Sequence, residues 1–260
     1  MSRLETYGAW LSSDPAGFAM YMIYLVVAAL MSLILHECAH GYVAYRCGDP
    51  TAKMMGRLSL DPRRHLDPVG TVCMFLLGFG WARPVPVNPR NYRHPRRDEY
   101  LVSVAGITVN LTLFILCTGL SVLVYRLMLG AAWSIGADVA RQASLYANLR
   151  DIILFGGASL PEELAGLMAA PWLQYVQRLL LMLAQINLSL AVFNLLPMPP
   201  LDGFRLLNNA LGGRLRMTRE VFRVMQVALL ILCLTGLLGR VLSVVVGAVD
   251  DAVVRAFLLV

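Results

Sequence analysis

The sequence predicts an α-helical integral membrane protein with about four to six transmembrane helices and a short re-entrant or β segment between the first two core helices. Three observations carry that reading. Of the 260 residues, 58% are apolar and only 15% are charged, against about 25% charged in soluble domains, and the mean hydropathy is +0.65. The apolar residues gather into long charge-free runs, and most of the cations fall in two stretches between them. Too little polar surface is available to clothe a water-soluble globule of this size. A cytosolic enzyme, a disordered chain and a secreted disulfide scaffold are excluded on that ground.

Taken in order, residues 15–35, 100–125 and 179–201 are charge-free runs of 21, 26 and 23 residues. Each is long enough to cross ~30 Å of hydrocarbon as a helix. The first lacks the basic start of a signal peptide and is read as a retained helix. Residues 68–82 make a run of only 15, broken by Pro68, Gly70, Gly78 and Gly80, which suits a re-entrant or partly extended segment. The alternation in 56–60 and 83–88 suits strands, with Pro84 and Pro86 fit for an edge. Residues 152–177, interrupted by Glu162, Glu163 and Pro171, predict an interfacial helix leading into the next span. A fourth run, 224–239, has 16 residues and crosses only if Arg223 and Arg240 snorkel outward; the sequence does not decide whether 240–260 add a crossing. No repeat or linker divides the chain, so it reads as a single polytopic membrane domain, 1–260, with its core at about 18–215.

Of the 22 Lys and Arg residues, ten lie between Arg46 and Arg97 and five between Arg205 and Arg223. With 68–82 dipping in and returning, both stretches share one face, which the positive-inside rule makes cytoplasmic in a cell (inner) membrane. The net charge of +6 is then topology and headgroup contact. Nucleic acid is excluded as a partner, since the basic patch Tyr92–Arg97 is short and adjoins a span. The five cysteines form no CxxC pair and imply no disulfide framework.

Ionisable groups at membrane depth are costly and point to function. The first span closes on His36-Glu37-Cys38-Ala39-His40. At about 100° per residue, positions 36 and 40 come within about 40° of one another and a turn apart, so both imidazoles can reach one metal ion. Glu37 is turned away enough to reach a water beside the metal without being a ligand. Zinc in a catalytic site wants one more protein ligand. His65 and His94 lie in basic loops; the better candidate is Asp202, after Pro197, Pro199 and Pro200 have ended a helix. That break either aims the Asp202 carboxylate inward or leaves it as an ordinary cap of the next helix.

These residues carry a resemblance. His36-Glu37-x-x-His40, followed by Asn194-x-x-Pro197-x-x-x-Leu201-Asp202-Gly203, is similar to the site-2 protease family of intramembrane zinc metalloproteases. Gly48-Asp49-Pro50-Thr51, Gly56-Arg57-Leu58, His65-Leu-Asp67-Pro68-x-Gly70 and Gly80-Trp-Ala-Arg-Pro84-Val-Pro86-Val-Asn88 resemble its short bacterial members, which lack a PDZ domain. The resemblance implies one Zn2+ per chain held by His36, His40 and Asp202, with Glu37 as acid and base. The family's Ala-Gly-Pro-x-x-Asn reads here Ala105-Gly106-Ile107-Thr108-Val109-Asn110: the proline is absent, and Asn110 stands in register for binding substrate or oxyanion. It implies membrane-anchored protein substrates, cut within or near their transmembrane helices. The rival reading is a non-proteolytic membrane metal carrier or scaffold. A carrier predicts paired broken helices in related halves, and a scaffold predicts loss of Glu37 or Asp202. Neither is seen in the sequence, which leaves substrate identity and oligomeric state open.

Overall fold

The computed structural model describes residues 3–68, 70, 71, 73, 82–130, 138–215 and 217–259. The re-entrant reading of 68–82 falls mainly outside them. Ten α-helices are described: α1 (Arg3–Ser13), α2 (Pro15–Arg46), α3 (Thr51–Met54), α4 (Pro95–Leu129), α5 (Val139–Phe155), α6 (Glu162–Ala165), α7 (Gln174–Asn194), α8 (Asp202–Ala210), α9 (Arg219–Leu234) and α10 (Leu237–Leu258). Three stretches, Pro15–Arg46, Pro95–Leu129 and Pro171–Asn194, are long and apolar enough to cross a membrane, and the bent pair α9–α10 makes a fourth if counted as one span. That meets the low end of the expected number, and the chain is a multi-pass membrane protein.

Chain contacts divide the molecule into two units, each taking part of the long helices. The first comprises 1–29, 112–187 and 247–260. Here Asp14 caps α2, its Oδ1 accepting from the Gly17 amide at 2.9 Å, with Pro15 at the first helical position as helix starts favour. Arg178, 2% exposed, donates to the carbonyls of Ile153 and Gly157 at 2.7 and 2.6 Å. It thereby closes the end of α5 and lies 5.8 Å from the Tyr24 ring centroid. This corrects the expected start of the third span at 179: Arg178 is absorbed into the helix because backbone carbonyls satisfy its charge. The interfacial helix expected over 152–177 is also corrected. Helix α5 stops at Phe155 before Gly157 (φ +112°), and only single turns at Glu162–Ala165 and Pro171–Leu173 precede α7.

The second unit comprises 30–111 and 188–246 and holds the motif residues. Strand character reduces here to one antiparallel bridge, Leu66 with Ala82, among the described residues. Residues 56–60 are turn and bend, and 83–88 are extended without a ladder. Side chains take the place of a second strand. The Arg57 Nη2 donates to the carbonyls of Arg83 and Pro84 at 2.7 and 3.2 Å, while Pro84 and Pro86 have no N–H to offer. The single crossing expected over 224–239 is broken. Helix α9, capped by Thr218 Oγ1, ends at Leu234; Gly236 adopts φ +70°, and α10 leaves at 73°. A positive φ ends a helix at glycine without any change in apolarity, so a count of charges passes over it.

Candidate metal centre

His36 and His40 face one way because they are one turn apart on α2. Asp202 meets them because α7 stops at Asn194 and the proline-rich turn folds back. A Cβ at Gly203 would collide with the carbonyl oxygens of Leu195 and Leu196, so glycine is what lets α8 begin so close to the end of α7. All three side chains are buried, at 5%, 7% and 8% exposure. The two Nε2 atoms are 3.1 Å apart, and Asp202 Oδ2 lies 3.3 Å from that of His36 and 3.1 Å from that of His40.

Whether these atoms fit a zinc ion is decided by their surroundings. His40 Nδ1 lies 2.7 Å from the Val102 carbonyl, which only accepts, so Nδ1 carries the proton and the neutral ring turns a lone pair inward at Nε2. Among the described residues Asp202 Oδ2 is buried with no hydrogen bond in good geometry, although two imidazole nitrogens stand close by. Three potential ligand atoms facing one another at 3.1–3.3 Å match the ~3.3 Å edge that bonds of ~2.0–2.1 Å make in a tetrahedral site. The donor set fits zinc. Among the described residues this is the one group of three or more His, Cys, Asp or Glu side chains able to hold a metal.

Glu37 stands outside the trio. Its Oε2 accepts from the Val85 amide at 2.8 Å, which ties the carboxylate to the extended segment 83–88. Asn110 is fully buried, and among the described residues neither its Nδ2 nor its Oδ1 has a partner, a costly state that calls for an explanation. It lies one helical turn along α4 from Gly106, on the same face. A Cβ at Gly106 would collide with both the His36 and His40 rings. His65 is buried but turns its Nε2 to the Ser59 carbonyl at 2.7 Å, and His94 is exposed; neither joins the cluster.

Sequence reasoning quoted Gly106, Arg57 and Asp49 inside motifs but gave them no task. It missed Val85 and Val102, which act through backbone atoms. Asp49 is buried. Its Oδ2 accepts from the Asn88 amide at 2.6 Å, and its Oδ1 from Asn91 Nδ2 at 2.8 Å and the Thr51 hydroxyl at 2.5 Å. Burial pushes its carboxyl up, and these donors more than offset that, so the acid is held below its ordinary value. Burial, then the Arg83 cation, pull the Arg57 guanidinium below its own, with Glu37 acting the other way.

Comparison with known proteins agrees with this chemistry. The model of a family described as Peptidase family M50 matches residues 24–235. YwhC of Bacillus subtilis, which bears the name of a zinc metalloprotease, is 37% identical over 241 residues, covering 91% of each chain. Rip2 of Mycobacterium tuberculosis, named in the same way, is 32% identical over 191 residues, 68% of this chain and 74% of the relative. No solved structure matches the chain.

Proposed function

The chain belongs to peptidase family M50, the site-2 protease family, and from that premise we propose that this membrane zinc metalloprotease cuts peptide bonds within or beside the transmembrane helices of membrane-anchored proteins. The observation that carries the reading is the buried His36–His40–Asp202 trio at the end of an uncharged span. An acidic and two basic groups buried there without a task would be costly.

His36, His40 and Asp202 hold one zinc ion per chain in this reading. When bound, zinc acidifies water and polarises a carbonyl as a Lewis acid. Glu37 takes the proton of the attacking water and passes it to the leaving amine. Its hydrogen bond from the Val85 amide fixes the carboxylate, and Arg57 holds the same segment by the carbonyls of 83 and 84. Asn110, buried with a free amide, donates to the oxygen that gains charge as the carbonyl is attacked. An unwound peptide lies along the extended backbone of 83–88, since a helical carbonyl is hydrogen-bonded and shielded by side chains. In this reading the chain works as one catalytic domain, and the cations of 46–97 support a site that faces the cytoplasm.

The test is cleavage of a reporter carrying a single membrane helix, by wild-type protein and by Glu37→Gln in the same vesicles. Cleavage by wild type alone, at a bond within or next to the helix, is expected. Zinc-loaded wild type that cuts no such reporter would return the chain to the carrier or scaffold reading.

A further inference from the structure

The motif Gly48-Asp49-Pro50-Thr51 has no part in the chemistry above, yet it builds a second concave site. It follows α2 directly, where the span ends at Arg46. Asp49 draws the loop around 88–91 against it through the bonds to Asn88 and Asn91, and the Arg93 amide donates to the Cys47 carbonyl at 3.0 Å. Gly48 adopts φ +109°, and a Cβ there would lie 3.1 Å from Arg93 Cγ and 3.4 Å from its Nε. The Arg93 side chain is thus laid across a glycine that leaves it room. Tyr45, Arg46, Gly48, Pro50 and Arg93 bound an open notch of about 390 Å³.

Two guanidiniums edge this notch, and among the described residues neither pairs with a carboxylate. Among the described residues Arg46 makes one side-chain hydrogen bond, to the Tyr42 hydroxyl at 3.4 Å, and the nearby carboxylates are engaged elsewhere, Asp49 by its own donors and Asp98 by the His94 amide and Arg97. A third cation stands at the rim: Lys53 donates to the Tyr45 hydroxyl at 2.9 Å, with its nitrogen 4.4 Å from the ring centroid. Exposed cations alone bind nothing in particular. Two arginines flanking one concavity, with one backbone pinned, suit an anion with several oxygens, and the guanidinium fork matches phosphate best.

Depth and neighbours choose between a free phosphate and a lipid. The notch follows the C-terminal end of α2, the first helix long and apolar enough to cross a membrane, and on that reading it falls at headgroup level. The two residues after Lys53 are Met54 and Met55, 80% and 61% exposed. Exposed apolar side chains beside cations suit the boundary between headgroups and acyl chains; a soluble anion would give them nothing. We propose that the corner between α2 and α3 binds an anionic phospholipid, with Arg46 and Arg93 on its phosphate and Met54 and Met55 against its acyl chains. The lipid anchors the loop that leads from 83–88 into α4, independently of proteolysis.

The full chain, stripped of lipid in mild detergent, is offered equal phosphatidylcholine and phosphatidylglycerol, and retained lipid is measured by mass spectrometry. Wild type is expected to retain phosphatidylglycerol preferentially, and Arg46→Gln with Arg93→Gln to lower that preference about tenfold or more. Arg90→Gln with Arg96→Gln removes equal charge from exposed positions outside the notch and should leave it in place. An equal loss in both pairs, or in neither, overturns the site. A further arm adds inorganic phosphate: lipid that stays bound supports the proposal, and lipid displaced by millimolar phosphate assigns the notch to a soluble anion instead. Thermal melts check folding, and Arg93→Gln alone, which keeps the backbone bond to Cys47, serves if the pair does not fold.

Discussion

Asp202 Oδ2 is buried between two imidazole nitrogens with no donor aimed at it, and the residue does not cap its own helix, whose cap position is Leu201. Asn caps as well as Asp but is a much poorer metal ligand. Asp202→Asn should therefore lose zinc affinity by more than the ~10–100-fold typical of outer partners, and cleavage with it. Zinc per chain in a folded preparation decides the matter; full occupancy would remove Asp202 from the site. Glu37→Gln separates the other role: zinc should stay near one per chain while cleavage falls by about 10²–10⁴-fold. Gly106→Ala pushes a methyl into both histidine rings. An overpacking cost of about 1–3 kcal/mol is expected, together with a smaller rise in melting temperature on adding zinc than wild type shows.

Between helices, the stretch 83–91, extended over 83–88 and closed by a single 3-10 turn at Pro89–Asn91, is held by side chains along its length. Arg57 takes its first carbonyls, Glu37 its Val85 amide, and Asp49 its Asn88 amide and Asn91 side chain. Asp49→Ala should cost about 2–3 kcal/mol, since several donors lose a charged acceptor at once. The pH dependence follows from the sign of the shift. The native carboxyl titrates below its unfolded value of ~3.9, so its contribution is complete above that pH and fades as pH falls through the lower native value. Thermal melts from pH 7 down to about 3 should show wild type losing its advantage over Asp49→Asn at the acid end. A constant difference between the two would mean the charge is not what holds the loops. None of this clamp was legible beforehand. The motif letters were visible, but the groups they grip are backbone amides and carbonyls, which leave no mark in a sequence.

At the scale of the whole chain, the spans and the His36–His40–Asp202 cluster were legible for different reasons. His36 and His40 share a face by helical spacing alone, and the prolines before Asp202 announce the end of α7. Membrane crossing follows from composition. What escaped were features that charge counting misreads: Arg178 inside a helix because carbonyls absorb it, and Gly236 dividing an apolar run by its φ of +70°. Topology remains to be tested by cysteine labelling of intact cells. Single cysteines placed in 46–65 and in 83–97 should react from the same, cytoplasmic, side. Labelling from opposite sides would make 68–82 a crossing and reverse the orientation argued from the cations.

The distance in sequence between the two histidines and Asp202 has a consequence for biogenesis. On the proposed ligand set, α2 enters the membrane with its imidazoles in place, and the carboxylate arrives only after α4 and α7 have been made. At about 5–20 residues per second, that interval is on the order of ten seconds. During it the nascent chain carries two of the three metal ligands and no working protease. Hydrolysis beside the translocation machinery, where every neighbour is an unfolded membrane protein, is thereby postponed until synthesis of the core is complete. A prematurely terminated chain is inert for the same reason.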